Sequence, residues 1–108
     1  MRFTLKQLQV FLAVANRENV SRAAVELAMS QSATSTALKE LEKRFDVKLF
    51  DRIGKRLQLN EQGIALRPKV LALISRAEEL ESSLIWHNEI ARLKVGATLT
   101  IGITWQWR

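Results

Sequence analysis

The chain has no cysteine and a single histidine, His87, among its 108 residues. Without thiols there are no disulfides, no thiolate catalysis and no cysteine zinc site. One imidazole is too few for a histidine metal cluster and leaves a histidine-centred triad equally hard to assemble. No stretch reaches the roughly 18 to 20 unbroken apolar residues of a membrane span. The opening MRFTLKQLQVF lacks the long apolar run and small-residue cleavage site of a secretory signal. No paired carboxylates or nucleophile–base arrangement can be placed, and the acidic group Glu78, Glu79 and Glu81 reads as a solvated helix face. The expectation is therefore a chain that is not an enzyme, needs no cofactor or metal, does not enter a membrane and works in the cytoplasm.

What is present is ordinary apolar content, 47%, and a formal charge of +6. That length and composition fit one compact domain, or a small domain with an appendage, rather than a disordered basic tail. The charge is uneven. Residues 1–60 carry 11 basic and 6 acidic side chains, a net of +5, whereas residues 61–93 carry 4 and 5, a net of −1. Lys48, Arg52, Lys55 and Arg56 form a dense cluster opposed only by Asp51. A basic surface confined to one part of a chain commonly meets nucleic acid or an anionic membrane.

Three short helices are expected in the first part. Leu5, Leu8, Phe11, Leu12 and Ala15 recur at helical spacing, with Thr4 placed as N-cap and Gln7 at its third position. Ser21 is expected to cap a second helix, SRAAVELA, whose Ala24 and Leu27 face inward. Ser30 is expected to cap a third, from Gln31 to about Arg44, packed through Ala33 or Thr34, Ala37, Leu38 and Leu41. Two or three residues join the second helix to the third. So tight a turn forces a steep crossing, the helix-turn-helix arrangement.

Beyond Phe45 the period changes. Val47, Leu49 and Phe50 read as an apolar anchor, Asp51 to Arg56 as a basic loop, and Leu57 and Leu59 alternate around Gln58. This is the pattern of a small β-hairpin wing with its tip at Ile53, Gly54 and Lys55. Asn60 then caps a long helix along which Leu66, Val70, Leu73, Ala77, Leu80 and Leu84 step by 4, 3, 4, 3 and 4. That heptad seam predicts a dimer interface. Pro68 either kinks the helix or marks a later start. In the final KVGATLTIGITWQWR, residues of one parity are apolar, which predicts a strand without a partner in this chain.

A helix-turn-helix lays its second helix in the DNA major groove, N-terminal end first. The expected base-reading residues are Gln31, Ser32, Ser35 and Thr36, with Lys39 two turns on meeting phosphate. Glutamine can bond adenine bidentately, and hydroxyls serve either base or phosphate. Ser21 and Arg22, at a helix N-terminus, suit a phosphate contact through backbone amides and guanidinium. Arg52, Lys55 and Arg56 would lie along the backbone or at the adjacent minor groove.

These residues together resemble a known family. Leu5, Gln7, Leu8, Phe11, Val14 and Ala15, then SRAAVEL at 21–27, then Ser30-Gln31-Ser32-Ala33 with Ser35 and Leu38, carry the likeness. Leu41-Glu42, Leu49-Phe50, Arg52, Lys55 or Arg56, Leu59 and Gly63 complete it. Residues 4–63 are similar, in order and register, to the N-terminal winged helix-turn-helix of LysR-type transcriptional regulators. The resemblance implies a bacterial regulator that binds an inverted-repeat operator in double-stranded DNA. It implies a homodimer built on the long linker helix, with a tetramer open to a full-length chain. It also implies a C-terminal effector domain of periplasmic-binding-protein type; the small-molecule site of that domain is absent from this chain, which is about a third of a member's length. LTIGIT at 99–104 resembles that domain's first strand.

The chain departs from the family pattern at four places. Asp46 stands where glycine is usual, and aspartate tolerates left-handed backbone better than most residues. Asn60 replaces a threonine and can cap as well. Gln62 replaces a common alanine, and Thr36 takes a position often held by arginine or a larger residue, which bears on sequence preference.

The expected fold is thus mainly α: a three-helix winged helix-turn-helix with a β-hairpin wing over residues 1–60, then a linker helix over 61–92. Residues 93–108 are the truncated first strand of an absent effector-binding domain in this reading. The alternative function is a dimerisation module, in which the seam itself is the working surface and the chain acts by forming heterodimers.

Overall fold

The structure is a computed structural model that describes residues 1–97. The chain divides into two units, Met1–Ile74 and a second beginning at Ser75, and each is considered by itself.

The first unit is the helix-turn-helix head. Helix α1, Leu5–Arg17, starts at a complete capping box: the Gln7 amide donates to the Thr4 hydroxyl at 3.1 Å, and the Thr4 amide donates to Gln7 Oε1 at 3.0 Å. Its buried surface runs nearly all the way round, taking in Gln7, Leu8 and every residue from Val10 to Val14. A single amphipathic stripe accounts for less than that. Leu5, placed inward by spacing, is instead partly exposed. The reason is tertiary: α1 is the central rod, touched by both following helices and by the wing.

Helix α2, Val20–Leu27, is capped by Asn19, whose Oδ1 accepts the Arg22 amide at 2.9 Å. Ser21, expected at the cap, sits inside the first turn. Asparagine and serine are equally good caps, so side-chain preference did not separate the two positions. The small pair Ala23–Ala24 is buried. Ala28 to Ser30 make a three-residue turn to α3, Gln31–Arg44, where Ser30 Oγ accepts the Ala33 amide at 3.1 Å. Of the two alternatives for the packed side, Thr34 is the buried one, its hydroxyl donating to the Ser30 carbonyl at 2.8 Å. Asp46 follows at φ 51°, as its side chain permits.

The wing is a two-stranded antiparallel hairpin, β1 (Phe50–Ile53) with β2 (Arg56–Leu59), in register Phe50↔Leu59 and Ile53↔Arg56. Of Asp51 to Arg56, expected as loop, Asp51, Arg52, Ile53 and Arg56 are strand residues; the turn is only Gly54-Lys55. Gly54 has φ 62°, a conformation that two-residue hairpin turns favour and glycine adopts freely. The wing is pinned to the core by Phe50, whose ring lies 5.6 Å from that of Phe11 at an interplanar angle of 60°, a tilted aromatic pair.

Helix α4 runs Glu61–Ala97 with Pro68 inside it, so the helix does not begin at the proline. Asn60 caps it, accepting the Gly63 amide at 2.8 Å and donating Nδ2 to the Lys48 carbonyl at 2.7 Å. A Cβ on Gly63 would collide with the Leu49 carbonyl oxygen and with Leu59. Glycine there lets the first turn of α4 lie directly on the base of the wing. Arg67 Nη2 reaches Asn16 Oδ1 at 2.7 Å, and Val70 and Ile74 close the core.

In the second unit α4 continues to Ala97. Residues 93–97, expected to open a strand, are therefore helical. Extending a formed helix costs little per residue, and one glycine costs only about 1 kcal/mol; a strand gains nothing without a partner to pair with. The remainder of the expected strand, 98–108, lies outside the described residues.

Candidate nucleic-acid interface

Helix α3 turns Thr34, Leu38 and Leu41 into the core. The helical period then fixes what faces away. Gln31, Ser35 and Lys39 follow one another at intervals of four along one stripe, and Ser32 and Thr36 form the next stripe over. Gln31, Ser32, Thr36 and Lys39 are exposed, and Ser35 is half-buried.

The fold brings the wing to that stripe. Ser21, Gln31, Ser35, Arg52 and Lys55 line a single recess of about 220 Å³ between α2, α3 and the hairpin. A second recess of about 260 Å³ is lined by Ser35, Lys39, Lys48 and Arg52 among others. Residues from three separate stretches of sequence thus share one polar surface, with hydroxyl, amide and cationic groups adjoining. Its charge is mainly positive; Glu42 also lines the second recess, where its carboxylate accepts the Leu49 amide at 2.8 Å.

Among the described residues the ion pairs join Arg17 to Glu26, Arg56 to Glu18 and Arg92 to Glu89. None of them takes Lys39, Lys48, Arg52 or Lys55. No group of acidic or histidine side chains among the described residues could hold a metal ion.

Four of the expected contact residues line neither recess; one is Arg56, which pairs with Glu18 at 3.5 Å. Ser32 and Thr36 lie on the outer stripe of α3, and Arg22 lies on α2 with its amide already taken by the Asn19 cap. Arg22 therefore offers an anion its guanidinium and not its backbone N–H. Lys48 belongs to this surface and was named in sequence only as part of a charge cluster; the cluster itself was the available signal. Asn19 also lines the first recess, and nothing in its spacing distinguished it from a loop residue.

The expected seam on α4 is divided by the structure. Val70 is 3% exposed and Leu66 packs against the head core, so both are engaged within the first unit. Leu73, Leu80 and Leu84 are 43%, 62% and 63% exposed, joined by Leu71, Ile85 and Trp86, while Ala77 is half-buried. Heptad spacing places these residues on one surface but cannot say which partner each apolar residue meets.

Comparison with known proteins places this geometry. The family model for bacterial regulatory helix-turn-helix proteins of the lysR family matches residues 5–64. An uncharacterized HTH-type transcriptional regulator of Escherichia coli strain K12, YeiE, is 44% identical over 102 residues, which are 94% of this chain and 34% of that one. The chain thus spans about a third of the length of the curated relatives it matches. Among solved structures, the Corynebacterium glutamicum OxyR C206 mutant superposes with a TM-score of 0.74 at 31% identity. That match covers 78% of this chain and 26% of the other. The BenM DNA-binding domain in complex with benA site 1 DNA has a TM-score of 0.71 at 22% identity. It covers 76% of this chain and 95% of that domain, a likeness of fold.

Proposed function

The chain belongs to the LysR family of bacterial regulatory helix-turn-helix proteins, and from that premise we propose that it binds double-stranded DNA sequence-specifically as a homodimer. The observation that carries the reading is the shared recess, in which Gln31 and Ser35 of α3 adjoin Arg52 and Lys55 of the wing. In this reading α3 enters the major groove and Gln31, Ser32, Ser35 and Thr36 reach base edges. Ser21, the Arg22 guanidinium and Lys39 meet phosphates on either side, and the wing cations follow the backbone. The chain then works in the cytoplasm, on an inverted-repeat operator.

Dimerisation through α4 is supported by two features. One is the row of exposed apolar residues from Leu73 to Trp86. The other is the order of charges along the helix: Arg67, Lys69 and Arg76 lie in 61–76 with only Glu61 against them, while 77–89 carries Glu78, Glu79, Glu81 and Glu89 and no lysine or arginine. An in-register parallel pair would set four carboxylates beside four. An antiparallel pair sets the acidic stretch of each copy beside the basic stretch of the other, and opposite charges at such positions select orientation. The dimerisation-module reading shares this surface but leaves the recess of the head unused.

The test is a binding-site selection from random duplex DNA. Enrichment of an inverted repeat, its half-sites about one helical turn apart, is the expected result. Salt-sensitive binding with no enriched sequence would overturn sequence-specific recognition, and an enriched single half-site would overturn the dimer.

A further inference from the structure

Glu18 ends α1 in left-handed backbone, φ 56° and ψ 26°, where a side chain is disfavoured and glycine is at ease. Ala28 and Asp46 share that region, so the backbone alone singles out nothing. What sets Glu18 apart is that both of its functional groups are engaged with the wing. Its carbonyl accepts the Leu57 amide at 3.0 Å, from the edge of β2 that β1 does not pair. Its Oε1 lies 3.5 Å from Arg56 Nη1. One residue therefore grips two consecutive residues of β2. An isolated two-stranded hairpin is marginal in water, so such outside holds decide how its cations are presented.

We propose that Glu18 is a positioning residue for the wing: its carbonyl fixes β2, and its carboxylate retains Arg56 within the protein while Arg52 and Lys55 are presented to phosphate. This rests on the DNA-binding reading above and assigns Arg56 a different part in it. The ion pair is exposed, at 69% and 37% of the two side chains, and such a pair adds little stability. Its effect falls instead on the number of cations that reach DNA. Neutralising Glu18 removes the competitor and frees Arg56 to make one more phosphate contact.

The salt dependence of binding counts those contacts, since each neutralised phosphate contributes about 0.9 to the slope of log K against log salt. The probe is mixed-sequence duplex DNA, and the proteins are the full chain, R52A, K55A, R56A, E18Q and E18Q/R56A. R56A should leave the slope of the full chain unchanged, and E18Q should steepen it by about 0.9. The double variant should return to the original value, while R52A and K55A each flatten it by about 0.9. E18G keeps the carbonyl, suits the backbone and should steepen the slope as E18Q does, which keeps the test available if E18Q folds poorly. If R56A flattens the slope as much as R52A does, and E18Q leaves it alone, Arg56 is an ordinary phosphate contact and the proposal is wrong. If R52A and K55A also leave the slope unchanged, the DNA-binding reading of the wing has failed, and this proposal with it.

Discussion

The head and the later part of α4 use similar residues to opposite ends. In Met1–Ile74 a closed core forms within the chain: Phe11, Val10 and Val14 are fully buried, and Leu41, Leu49 and Val70 close around them, although Val25 and Leu73 stay exposed. From Ser75 onward Leu80, Leu84, Ile85 and Trp86 stand mostly exposed. A core that closes within one chain has a stability independent of concentration. An apolar row that is satisfied only by another molecule has a stability that rises with concentration. In the proposed dimer the same kind of side chain would therefore contribute to folding in one region and to association in the other.

The sharpest way to break that comparison is to charge the exposed row. Replacing Leu73 and Leu80 together by glutamate should convert a dimer to a monomer in sedimentation equilibrium, with helix–coil content of the head retained by circular dichroism. A charged double variant that stayed dimeric would show that the surface lies elsewhere. Truncating the core comes next: Phe11→Ala should cost about 3–5 kcal/mol, read as a fall in the urea midpoint at every protein concentration. Leu84→Ala is its counterpart. It should leave a dilute sample's midpoint nearly unchanged and lower that of a concentrated one.

Two smaller effects sharpen the account of the junction between wing and α4. Gly63→Ala places a methyl group on the Leu49 carbonyl oxygen, and overpacking of this kind costs about 1–3 kcal/mol. Asn60→Ala removes the cap and the bond to the Lys48 carbonyl, which should cost about 1 kcal/mol. Chemical denaturation of the two variants should keep that order; a Gly63→Ala protein as stable as the parent would mean that α4 can shift outward without loss.

Much of the head was legible because its signals are local. Thr4 with Gln7, Ser30 and Asn60 announce helix starts through hydrogen bonds that close within three residues, and each cap forms as expected. The tight turn at Ala28–Ser30 and the tip at Gly54 follow from chain geometry in the same way. The failures share a cause as well. Asn19 and Ser21 are both capping residues within one turn, and their side-chain preferences do not say which of them starts α2. Leu5 fits the period of α1, yet the buried surface extends round Val10 and Val14 because helices and wing close on α1 from different sides. At the candidate interface, Gln31, Ser35 and Lys39 could be named from the stripe that flanks Thr34 and Leu38. Glu18 could not: its carboxylate acts on Arg56, 38 residues away in sequence, and no local pattern joins the two.

Most element types, most caps, the family and the concentration of excess positive charge in residues 1–60 are legible in the sequence, since these follow from short-range hydrogen bonding, periodicity and composition. The tertiary structure alone decided which cations share a recess with α3 and which one is held by Glu18. It also decided that Val70 belongs to the head while Leu80 and Leu84 stay open. Periodicity places a residue on a face, but only the packing of distant segments determines what that face meets.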